Sequence, residues 1–241
     1  MPALIRTART TGLLYLGLAI TGALGFLLIR PRLFAADDPG PTLANLVQHQ
    51  SLARAGVAAE LLIVVTQALA AAWFYRLFRT ADARAASAIA AFGLINAVVI
   101  LVSAALLATA LDIALDPIGD AAASIQLLYL TSGNLWGVGG LFFGLWLIPM
   151  GTCVLRSNWM PRPLGFILVG GGIGYLLSAF IGYLAPDAHA VADVLVLPAT
   201  VGEFWMIGYL LTRGVRAHAL DQAPSDRQPG AAPQTMRLAG E

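Results

Sequence analysis

Glu60 and Glu203 are the residues that could do chemistry, because each is the only charge in a long apolar stretch, residues 55–75 and 194–212. A carboxylate placed in hydrocarbon costs about 2.5 kcal/mol or more, so it turns toward a bundle interior or a wet cavity. Two such groups in one cavity would bind a cation or a polar solute, or exchange protons. Gln67 in the Glu60 stretch and Asn96 and Asn134 in other stretches add polar groups, and Arg54, just before residue 55, is the nearest cation along the chain. The alternative is that each glutamate hydrogen-bonds across its own helix pair. The sequence leaves this open, since it does not show whether the two stretches adjoin.

Other chemistries lack their residues. His49, His189 and His218 lie outside the apolar stretches, which disfavours a buried haem or zinc site. There is no His-Glu-x-x-His run, nucleophile elbow or phosphate-cradling loop. Gly170-Gly-Gly-Ile-Gly174 is glycine-rich but sits within an apolar stretch, where it reads as packing. A single cysteine, Cys153, excludes an internal disulfide and reads as a small buried hydrophobe. No catalytic residue, metal site or cofactor is implied.

The elements that must position the glutamates are membrane helices. Of 241 residues, 59% are hydrophobic and 11% charged, against about 25% charged in a soluble domain. A net charge of +1 implies no nucleic-acid partner. Four windows carry no charge, residues 10–29, 85–111, 121–155 and 163–186, and the two glutamate stretches bring the total to six. About 20 apolar residues cross a bilayer as a helix, and in lipid only a helix pairs every backbone amide within the segment. The expected spans are 10–29, 55–75, 85–111, 125–155, 163–185 and 194–212. The 35-residue window would make a helix of about 52 Å, so its first part is expected outside the hydrocarbon. Residues 10–29 exceed a secretory h-region of about 7–15 residues and read as a retained first span.

Arginine sets the orientation. All fourteen basic residues are Arg, which with abundant Ala and Gly reads as the coding bias of a GC-rich bacterium. With the N-terminus inside, eleven fall in inner segments, and only Arg30, Arg32 and Arg54 fall outside. That asymmetry predicts a bacterial cytoplasmic-membrane protein with both termini cytoplasmic. Trp73, Tyr75, Trp159 and Tyr183 are expected at the interfaces. Glu60 then lies about 8 Å, and Glu203 about 14 Å, into its span from outside.

Around this frame, residues 41–50 read as a short amphipathic outer helix between spans 1 and 2, and residues 216–241 as a disordered cytoplasmic tail. Gly133, Gly137, Gly140, Gly144 and Gly151 recur in the fourth span, as do Gly170, Gly174, Ser178 and Gly182 in the fifth. Small residues on one face let helices approach closely, so these two spans are expected to pack as a hairpin, or alternatively to join two copies of the chain. The fold class is all-α, a polytopic six-helix bundle.

The segments TARTTGLLYL (7–16), RAGVAAELL (54–62), GLFFGLWLIPMGTCVLRSNWMPRPLGFILVGGGIGYL (140–176) and LPATVGEFWMIGYLL (197–211) resemble bacterial domain-of-unknown-function family 4386. The resemblance spans about residues 7–215, and its most specific part is RSNWMPRPLG at 156–165. It implies a multi-pass membrane protein and no defined activity. Independently of that resemblance, the apolar windows imply the lipid bilayer as a partner, and the carboxylates a small solute or ion. The other reading is a structural or regulatory protein that binds a protein or lipid.

Overall fold

In the computed structural model, residues 3–216 are described. The tail read as disordered lies beyond them, apart from Arg216. Helix α1 (Ala3–Ala23) runs through a π-helical segment, Leu24–Ile29, into the short α2 (Arg30–Leu33). Then come α3 (Pro39–Gln48), α4 (Gln50–Phe78), α5 (Ala83–Leu115), α6 (Ala121–Ser157), α7 (Arg162–Leu184) and α8 (His189–Thr212). The first span is the continuous rod Ala3–Leu33; α4, α5, α6, α7 and α8 supply the other five. The protein is an all-α, six-helix transmembrane bundle.

Aspartate caps mark the starts of α3, α5 and α6. The carboxylates of Asp38, Asp82 and Asp120 accept from the amides of Gly40, Ala85 and Ala123 at 3.0, 3.0 and 3.1 Å. Each satisfies an orphan donor of a first turn. Asn158 closes α6 in the left-handed region, φ 55°, where a short polar side chain is tolerated.

The six spans pack in chain order as a ring: α1 on α4, α4 on α5, and so on to α8, which returns to α1. Aromatic side chains fill the middle. Tyr15 stands edge-on to Phe74 at 5.3 Å, and Trp146 reaches across from α6 to both. Gly93 makes room for that indole, since a Cβ there would lie 2.5 Å from Trp146 and 2.8 Å from Ala71. Leu13, Leu27, Val98, Leu127, Phe166 and Phe180 point outward from the ring, as side chains solvated by lipid do.

The amphipathic segment begins two residues earlier than its pattern suggests, at Pro39, and caps one end of the ring by packing on α5 and α6. Thr42 donates to Gln126 at 3.0 Å, and Gln126 in turn donates to the carbonyls of Ala35 and Ala36. At the opposite end the 156–165 segment folds under the helices. Arg156 pairs with Asp82, and Trp159 stacks on Phe78 at 6.1 Å. Trp159 is therefore not an interfacial anchor; it is 8% exposed because the loop turns its ring inward.

The glycines divide between two interfaces. Cβ atoms at Gly144 and Gly151 would lie 2.6 Å from the carbonyls of Gly172 and Gly165, so α6 and α7 touch backbone to backbone. Gly171 and Gly174 instead receive α8, at Ala199 and at the Leu195 carbonyl, 2.0 Å from a Cβ on Gly174. Gly133, Gly137 and Gly140 have looser neighbours in Arg30, Tyr183 and Tyr175. Gly170 and Gly182 face open space, and Ser178 is half-buried.

Candidate functional site

The two glutamates sit in different shells of the ring. Glu60, on α4, is 4% exposed, and its Oε1 accepts from Trp136 Nε1 at 3.2 Å. The same indole N–H lies 3.2 Å from Ser103, whose hydroxyl meets Ser132 at 2.9 Å. Arg30 closes the network by donating to Ser132 at 3.0 Å and to the Tyr129 carbonyl at 2.8 Å. Its guanidinium lies over Phe26, Phe34 and Tyr129 and acts on Glu60 through space. Glu60 Oε2 is buried without a hydrogen bond beside a space of about 20 Å³, roughly what one water needs.

Local backbone explains how Arg30 reaches inside. Its amide bonds to the Gly25 carbonyl, five residues back, so the π turn carries one extra residue and re-aims the face that follows. Phe26 is brought edge-on to Trp136 at 4.4 Å, and Arg30 swings toward α6. Arg54, the cation expected near Glu60, is instead exposed on the other face of α4. A continuous apolar helix that ends in Arg30-Pro31-Arg32 was the signal for this inward cation. The π turn that aims it has no sequence pattern.

Glu203, on α8, accepts a hydrogen bond from the Tyr15 hydroxyl of α1. Beside it lies a cavity of about 230 Å³ whose other walls include Leu18, Gly22, Ile63, Trp136, Phe143 and Phe204. Apart from Glu203 and Tyr15 the lining is apolar, save for the indole of Trp136, whose N–H is turned to Glu60 and Ser103. Trp136 is thus a shared wall, with the Glu203 cavity on one side and the Glu60 network on the other. Helices α4 and α8 are not a packed pair, and α1 stands between them.

The remaining candidates scatter. Asn96 is buried, leaves its Nδ2 unpaired, and faces a small space also lined by Trp136 and Gly139. Gln67 is buried with an unpaired Oε1, and Asn134 is exposed on the outer face of α6. Tyr15, Trp136, Ser103 and Ser132 complete the two shells but read as ordinary core residues in an apolar span. Their signal is only that a buried phenol or indole needs a polar partner.

The fold and these two shells define a polytopic membrane protein with one carboxylate buried inside a helical ring and a second half-buried on a chamber wall. The family model for a domain of unknown function, DUF4386, matches residues 10–214, and the chain belongs to that family. No curated protein and no solved structure matches the chain.

Proposed function

We propose that this membrane protein binds a small molecule in the cavity between α1, α6 and α8, with Glu203 as its polar anchor. The observation that carries the reading is a carboxylate, held by one tyrosine, on the wall of an otherwise apolar chamber of about 230 Å³. A carboxylate that served packing alone would be enclosed by donors and close-packed side chains. A dry apolar cavity of about 150 Å³ already accepts benzene, so this chamber suits an organic molecule rather than a bare ion. Glu60, sealed by Trp136, fixes the wall of the chamber and does not touch the ligand.

The test is thermal unfolding of the purified protein in detergent across a panel of small solutes. The expected result is that some solutes raise Tm of the wild type, that Glu203→Gln abolishes the shifts given by charged and polar solutes, and that Glu60→Gln keeps them. Shifts that survive both Glu203→Gln and a cavity-filling Gly22→Leu would overturn the reading, as would a wild type that no solute stabilises.

We infer that the α3 end faces away from the cytoplasm of a bacterial cell. The arginine asymmetry supports this, and it sharpens once Arg30 is turned inward, because only Arg32 and Arg54 remain exposed at that end. A reporter joined after Arg237 should be active only as a cytoplasmic fusion. Activity on the outer side would reverse the orientation.

A further inference from the structure

The chamber's chemistry narrows its ligand, an inference that rests on the binding role proposed above. We infer that the ligand is a small organic cation, an amine or quaternary ammonium on an apolar body, which enters from the bilayer between α1 and α8.

Charge is the first argument. Among the described residues that line the chamber none is basic, and the ionisable ones are Glu203 and Tyr15. Glu203 Oε1 is taken by Tyr15, which leaves Oε2 as an acceptor. The chain has no Lys, and the inward-facing Arg30 lies beyond Phe26 and Trp136, where Ser132 and Tyr129 already hold it. Nothing on these walls would receive an anion. A metal ion fares no better, since one carboxylate and one phenol cannot replace the six or more oxygens that a hard cation takes up.

Shape and wall chemistry agree. Tyr15, Trp136, Phe143 and Phe204 place four aromatic rings on the walls around the one acid. An alkylammonium packs against the faces of such rings, where the attraction strengthens as water is excluded.

Access is the third argument. Helices α1 and α8 close tightly at the end where α1 begins and α8 finishes, and there a Cβ on Gly12 would lie 2.9 Å from Leu210. Toward the α3 end, Gly171 and Gly174 hold α8 closely against α7. The seam opens there: a Cβ on Gly22 would meet nothing within 4 Å, and Phe204 lines the chamber while 61% exposed on the outer surface. That surface is the lipid side, so a lipophilic cation dissolved in the membrane reaches Glu203 without crossing water.

Three probes of similar size test this with the whole protein in micelles: phenyltrimethylammonium, its neutral carbon counterpart tert-butylbenzene, and benzenesulfonate. Equilibrium binding should favour the ammonium at least tenfold over the neutral probe, with no binding of the anion. Glu203→Gln should erase the preference while the neutral probe still binds, and Gly22→Leu should exclude both. Equal affinity for ammonium and neutral probe in the wild type would overturn the cation inference and leave the cavity reading intact. Preference for benzenesulfonate would also overturn it. If no probe binds and Gly22→Leu changes nothing, the cavity reading itself fails. The wild-type comparison decides the matter even if a variant does not fold.

Discussion

At the scale of single residues, the interior is specified by what each side chain would lose if changed. Gly93→Ala would press a methyl into Trp146 and Ala71, so it is expected to destabilise the protein by about 1–3 kcal/mol in thermal unfolding, as overpacking does. Arg30→Met would strip Ser132 and the Tyr129 carbonyl of a donor and leave Glu60 without its cation. A loss of about 1–3 kcal/mol is expected by the same measurement. Outside the membrane, the Ala85 amide and then Arg156 hold the Asp82 carboxyl below its ordinary range. A folded-state value below the unfolded one gives stability that is complete above about pH 4 and fades as pH falls through the folded value. Asp82→Ala should therefore cost about 0.5–2 kcal/mol at neutral pH, as a lost helix cap does. It should also flatten the acid limb of an unfolding-against-pH series. Glu60 and Glu203 were legible because a lone charge in an apolar run is conspicuous. Their partners were not, because Tyr15 and Glu203 are 188 positions apart and a tyrosine in an apolar span looks like any core aromatic.

At the scale of helices, lipid supplies no hydrophobic drive between spans, so approach distance decides which helices join. The spacing of small residues showed that α6 and α7 carry close-contact faces. It did not show that α7 is two-sided, with Gly172 and Gly165 on α6 and Gly171 and Gly174 on α8. Neighbouring positions on a helix point about 100° apart, and a run of glycines does not say which neighbour each one meets. A paired comparison tests this assignment. Gly174→Ala gains up to about 1 kcal/mol of helix propensity, yet its methyl would meet the Leu195 carbonyl, so a net fall in Tm is expected. Gly182→Ala faces open space and should leave Tm unchanged or raise it. Equal effects at the two positions would show that α7 and α8 do not touch there. The π turn in the first span is the other element the sequence concealed, and it determines that Arg30 rather than Arg54 serves the Glu60 network.

At the scale of the whole molecule, six spans form a ring whose middle, among the described residues, is filled by Tyr15, Phe74 and Trp146, with Trp136 packed against Phe26 beside them. The six-span layout was legible from apolar windows of about 20 residues or more, since within a single such segment only a helix pairs every backbone amide in lipid. The interior arrangement depends on which faces meet, and windows carry no such information. With α1 between α4 and α8, the two glutamates stand apart: one meets Trp136 in the network around Arg30, and the other lines a chamber beside the bilayer. The most direct check is anomalous diffraction from crystals of the protein grown with 4-bromophenyltrimethylammonium. The expected result is a bromine peak within the chamber bounded by Trp136, Phe143 and Phe204, with the ammonium turned to Glu203. A chamber closed by its own side chains, with bromine only on the outer lipid-facing surface, would contradict it.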